Sequence, residues 1–123
     1  MDEARIWEEV GAEGFERIVA GFYRRVREDD LFGPMYPEDD WEGAEERLAD
    51  FLKFRIGMDE TYLKKRGHPR LRMRHLPFAI GEAERDRWLE LMGAAVEEEG
   101  MSGEVAGELM VFFEQVAEFM RNR

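Results

Sequence analysis

The stretch GHPRLRMRHLPFAI, residues 67–80, holds both histidines of the chain, His68 and His75, in a segment crowded with arginine. Imidazole titrates near neutral pH and is the commonest nitrogen ligand for a metal, so these two side chains are the first candidates for chemistry. The chain has no cysteine, which excludes disulfides, thiolate nucleophiles, Cys-ligated zinc and iron–sulfur clusters. Zinc needs three or four ligands, and His68 and His75 stand seven positions apart, not the four that align two side chains on a helix face. The pattern does not make a zinc site. Taken alone, His75, between Arg74 and Leu76-Pro77-Phe78, also reads as a partly buried structural histidine.

Charge adds a second observation. The chain carries a net −11, which argues against a general binder of nucleic acid or of anionic membranes. Between Lys53 and Arg74, however, eight basic residues face only Asp59 and Glu60, a local +6 that leaves −17 elsewhere. A haem iron fits this combination: the porphyrin supplies four nitrogens, so one histidine suffices. Haem also requires a flat apolar slot and cations for its two propionates, and the phenylalanine-rich stripes and the basic segment offer both. Pro69 and the few residues after it hold both histidines on one segment, so other groups must furnish the opposite haem face. Tyr23, Tyr36 and Trp88 are the candidate polar donors there; each is also readable as a core aromatic whose OH or NH meets a backbone carbonyl.

The elements that must position these residues read as helices. Residues 12–28 place Phe15, Ile18, Val19, Phe22, Tyr23 and Val26 at helical spacing. Gly33, Pro34 and Pro37 then break the chain, and Asp39 or Asp40 can cap the next helix. Residues 42–56 gather Ala44, Leu48, Phe51, Leu52 and Ile56 on one side, and Gly57 ends that helix. Residues 57–74 show no sustained period, and Gly67, Pro69 and Pro77 leave room for only a turn or two of helix near His75. Residues 83–98 carry a stripe with Trp88, Leu89, Met92, Ala95 and Val96; from Ser102, a candidate N-cap, a last stripe runs through Val105, Leu109, Phe112, Phe113, Val116 and Met120. No strand alternation appears. The expected fold is all-α in a single domain over residues 1–123, with four main helices and short ones at the start and near His75.

The segments GFYRRV, YPEDDWEGAEERL, RGHPRLRMRH and ERDRWLELM resemble the truncated haemoglobins of the second group, the O-type proteins, from about Phe15 to the last helix. The resemblance implies a globin-like two-over-two helical sandwich around one haem b. It implies His75 as the proximal iron ligand and Tyr23, Tyr36 and Trp88 as the distal hydrogen-bonding cluster. Ala44, Leu48 and Phe51 would line the distal helix, and Arg74, Tyr62 and Arg66 would sit toward the propionates. His68 would be structural and solvent-facing. The family often has Gly-Gly where this chain has Gly57-Met58, and its first glycine pair appears here as Gly11-Ala12.

On this reading the chain binds O2, NO, CO or other small haem ligands. Hydrogen bonds from Tyr23 and Trp88 would slow O2 release, which favours redox or NO-detoxifying chemistry over oxygen transport. NO dioxygenase and peroxidase-like activities are the enzymatic versions, with a reductase unknown; a cofactor-free helical interaction module is the alternative in which His75, Tyr23 and Trp88 are ordinary core residues. No apolar run approaches the ~20 residues of a membrane span, and MDEARIWEEV is acidic where a secretory signal is basic and then apolar. A cytoplasmic protein is expected, without nucleic-acid or membrane partners. Exposed Trp7 and Trp41 would mark a homodimer contact.

Overall fold

The computed structural model describes residues 1–123. Six α-helices follow one another: α1 (Glu3–Glu28), α2 (Trp41–Gly57), α3 (Thr61–Arg66), α4 (Leu71–His75), α5 (Glu82–Glu99) and α6 (Gly103–Met120). A single 3-10 turn, Gly33–Met35, lies between α1 and α2. No strand is present and no helix is long and apolar enough to cross a membrane.

The first helix starts where Asp2 accepts the Arg5 N–H at 3.1 Å. It is bent at Gly11, whose φ of +68° belongs to the left-handed region that a side chain disfavours. The short N-terminal helix and the long one expected over 12–28 are therefore joined end to end. The buried face of the long part carries Phe15, Ile18, Val19, Phe22, Tyr23 and Val26, and α1 packs against both α2 and α5 while α5 packs against α6. Two helix pairs lie one over the other. Trp88 of α5 joins them, its ring 5.3 Å from Phe22 of α1 and 5.6 Å from Phe113 of α6. Phe15, Phe22 and Phe113 are essentially fully buried, each removing roughly 2–3 kcal/mol worth of apolar surface from water.

Three local expectations are refined. Ser102 caps α6, its hydroxyl accepting the Val105 N–H at 3.3 Å. Asp40 occupies the N-cap position of α2, but its carboxylate pairs with Arg47 at 2.8 Å instead of with the backbone. The irregular stretch 57–74 contains α3 as well as α4. Six residues are too few to display a period, and α3 is held by tertiary contacts: Tyr62 is buried edge-on against Phe51 and stacked on Phe54, and Arg66 reaches Asp50 of α2 at 2.7 Å.

Trp7 and Trp41 are half-buried. Trp7 stacks on Phe15 with ring centroids 5.9 Å apart and lies over Gly57. Trp41 stacks on Tyr36 at 5.2 Å beneath the Arg27 guanidinium. Both pack on their own chain, which corrects the expectation that they are exposed.

Candidate functional site

The ring of His75, at the end of α4, is half-buried, and its Nδ1 lies 2.6 Å from the Leu71 carbonyl oxygen. A carbonyl can only accept, so Nδ1 carries a proton, and in the neutral ring Nε2 is the bare nitrogen, the form a metal requires. The helix itself supplies this partner, because residue i−4 stacks beneath residue i. His68 is exposed, and its Nδ1 accepts the Arg70 N–H at 3.1 Å, so it braces the turn into α4 where Arg70 adopts a φ of +45°. The two histidines thus differ in kind: one closes a turn and the other offers a nitrogen.

Tyr23, Tyr36 and Trp41 form an aromatic cluster between α1 and the start of α2. Tyr23 stands edge-on to Tyr36 at 5.5 Å and to Trp41 at 6.3 Å. Burial pushes the Tyr23 phenol well above the ordinary tyrosine range, and the neighbouring Tyr36 phenol adds to that; burial also raises Tyr36. Both stay protonated and can donate. Phe22 links this cluster to Trp88, touching Tyr23 at 5.1 Å and Trp88 at 5.3 Å. Neither the Tyr23 hydroxyl nor the Trp88 N–H is hydrogen-bonded to a backbone carbonyl or a charged group, nor is either sealed inside the protein without a partner. Core tyrosines and tryptophans normally spend these groups on a backbone acceptor. Ala44 and Phe51 are buried on α2, and Leu48 between them is half-buried.

The basic segment is more neutral than its sequence. Lys53 pairs with Glu16, Arg55 with Glu3, Lys65 with Glu46, and Arg66 with Asp50 and Glu46. Asp50 is 7% exposed, so the Arg66 charge is committed to α2. Lys64, Arg70, Arg72 and Arg74 have no carboxylate partner, and all four lie on the segment that leads to His75. Arg74 donates to the Tyr62 hydroxyl at 3.4 Å. Arg72 donates instead to the Phe119 and Arg121 carbonyls at the end of α6, at 3.0 and 2.8 Å. Arg74 also donates to the Arg66 and His68 carbonyls at 3.4 and 3.5 Å, in contacts long enough to give way to an anion, whereas Lys64 and Arg70 have no side-chain partner.

The sequence matches the bacterial-like globin family over residues 5–122. It is 36% identical over 117 residues to the group 2 truncated haemoglobin YjbI of Bacillus subtilis, spanning 95% of this chain and 88% of that protein. The chain belongs to the group II truncated haemoglobins. The fold agrees. A thermostable haemoglobin from Thermobifida fusca superimposes with a TM-score of 0.90 at 45% identity over 95% of this chain and 96% of that one. For the haemoglobin of Chloroflexus aurantiacus the TM-score is 0.90 at 43% identity, over 96% and 98%. The two-over-two arrangement is therefore the globin-like sandwich, and membership implies haem-based binding of small diatomic ligands.

Within this globin the expected residues form three groups: Tyr23, Tyr36 and Trp88 through Phe22; Phe51, Tyr62, Arg66 and Arg74 around α3; and His75 on Leu71. None of the three donors bonds to His75. Sequence reasoning missed two anchors. Asp29 is 7% exposed and accepts the Leu31 and Phe32 N–H groups and the Arg87 Nε, at 3.1, 2.9 and 2.6 Å. Its burial is outweighed by these donors, which hold its carboxyl below the ordinary range, and through Arg87 it ties α5 beside Trp88 to the turn after α1. Asn122, near the C-terminus, bonds to the loop after His75. The Asp29 bonds to Leu31 and Phe32 are a local turn pattern, but its tie to Arg87 lies 58 positions away and the partners of Asn122 lie 42–47 away, so the long-range anchoring leaves no local signal.

Proposed function

We propose that residues 1–123 act as one domain that binds haem b through the Nε2 of His75 and holds diatomic gases tightly rather than transporting them. The residues present fit the group: a bare imidazole nitrogen oriented by Leu71, two donors not committed to the backbone, an apolar wall with Leu48, Phe51 and Ala44, and cations on the His75 segment for the propionates. When bound, haem would be held by the Nε2 of His75 and would supply an iron able to bind a diatomic gas. On the distal side the Tyr23 hydroxyl and the Trp88 N–H donate to a ligand that acquires partial negative charge, with Tyr36 buttressing Tyr23. Ala44 is small enough to leave a ligand route past α2, and Trp88 gates it. Arg74 serves the propionates together with Tyr62, while Arg66 steadies α3 through Asp50.

The single observation that carries this reading is the pair of donors against Phe22, the Tyr23 hydroxyl, which is paired only with the Tyr36 phenol, and the Trp88 N–H, neither of them spent on a backbone carbonyl. Hydrogen bonds to charged groups contribute ~1.5–3 kcal/mol, so two of them slow O2 release by about 10²-fold or more. A Bacillus subtilis relative described as oxygen-avid is 35% identical, with a TM-score of 0.88 over 95% of this chain and 98% of that one. Slow release suits redox use, such as NO detoxification, with a reductase as electron donor in the cytoplasm. The visible spectrum tests the first step: haem-supplied protein is expected to show a strong Soret band that shifts with CO and is lost or altered in His75→Ala. A folded protein that ignores added haemin would overturn the reading.

A further inference from the structure

The loop after His75 has little packing of its own. Leu76 and Phe78 are 56% and 41% exposed, and residues 76–81 form no regular element. The far end of the chain holds it, chiefly through Asn122, with the Arg123 N–H also donating to the Ile80 carbonyl at 3.2 Å. The Asn122 side-chain amide donates to the Phe78 carbonyl at 2.8 Å and, in a longer contact of 3.4 Å, to the His75 carbonyl. Its Oδ1 accepts the Ile80 N–H at 2.9 Å, and its own backbone N–H donates to the Ile80 carbonyl at 2.9 Å. On the other side of His75, Arg72 clasps the last carbonyls of α6. The Leu71 carbonyl fixes the imidazole relative to α4, and these two clasps, with Leu71 packing on the core and Arg74 donating to the Tyr62 hydroxyl and the Arg66 and His68 carbonyls, fix α4 relative to the rest of the molecule.

The geometry points to Asn122 as a positioning residue for His75: by pinning the Phe78–Ile80 loop to the C-terminus it sets where the imidazole Nε2 stands, and so the strain on the bond it makes to iron. This rests on the proposed role of His75. A primary amide suits the task because it presents two donors and an acceptor in one plane. Aspartate keeps the acceptor for Ile80 but sets a carboxylate oxygen against the Phe78 and His75 carbonyls, where it has nothing to donate.

The test uses the haem-loaded full chain as wild type, Asn122→Ala and Asn122→Asp. Three quantities are read: the iron–histidine stretching band of the reduced protein by resonance Raman, the rate of haem transfer to an apomyoglobin acceptor, and amide exchange at Ile80 in the haem-free chain. Both variants are expected to shift or broaden the band and to speed haem transfer by about tenfold, as the loss of two hydrogen bonds of ordinary strength implies, and Asn122→Ala, which also removes the acceptor of the Ile80 N–H, to speed Ile80 exchange more than Asn122→Asp, with helix content unchanged by circular dichroism. If wild type and variants share a normal Soret band, the same stretching band and the same transfer rate, the role of Asn122 is overturned and that of His75 stands. A wild type that takes up no haem overturns the assignment of His75, and this role with it.

Discussion

Replacing Trp88 with phenylalanine isolates one hydrogen bond. The indole is half-buried, and its contacts with Phe22 at 5.3 Å and Phe113 at 5.6 Å are between rings that a benzyl group also supplies. Its N–H has no backbone or charged partner, so the substitution orphans nothing. The folding cost is then only that of a smaller ring, no more than about 1–1.5 kcal/mol. What disappears is a donor to a partly anionic gas, about 1.5 kcal/mol, or roughly tenfold in release rate. Stopped-flow replacement of O2 by CO measures this directly. Tyr23→Phe is expected to do the same, and the double variant to approach about 10²-fold, because Tyr23 and Trp88 each stand against Phe22 and share no direct ring contact. O2 release within about twofold of wild type in a folded, CO-binding Trp88→Phe protein would refute the reasoning, since that is too little for a lost donor.

Three further outcomes follow from the same structure. At the end of α2, a Cβ on Gly57 would meet the Trp7 ring at 2.5 Å, whereas Met58, 81% exposed, caps the helix at a φ of +59°. Gly57→Ala is therefore expected to destabilise by about 1–3 kcal/mol and Met58→Gly to stabilise by about 0.5–1 kcal/mol, both read by urea denaturation. The Glu98 carboxylate, bonded by Arg24 and Arg25 from α1, is lowered from 4.5 to about 2. A carboxylate with a depressed folded value contributes stability above its unfolded value and loses it as pH falls through the folded one. Glu98→Gln should thus be less stable than wild type near neutrality, and the difference should close between pH 4.5 and about 2 in thermal melts; a constant difference down to the lower limit would contradict the pairing.

Helices α1, α2, α5 and α6 were legible because apolar spacing at three and four residues is a local property, set by which side chains share a helix face. The sequence also sufficed for His75 as the candidate ligand and for Tyr23, Tyr36 and Trp88 as candidate donors, because the residue types limit the chemistry and the motif around His75 is specific. It did not reveal α3, whose six residues acquire their order from Tyr62 against Phe51 and Phe54 and from Arg66 on Asp50. The +6 segment is another case: charge counted along the chain ignores Glu3, Glu16, Glu46 and Asp50, which neutralise half of its cations from helices elsewhere. Only the tertiary structure decided that Trp7 and Trp41 pack inward, that neither the Tyr23 hydroxyl nor the Trp88 N–H is spent on a backbone carbonyl, and that Asn122 holds the loop beside His75. Each of these depends on groups brought together across tens of residues, and a periodicity that spans a few turns of helix carries no record of such pairings.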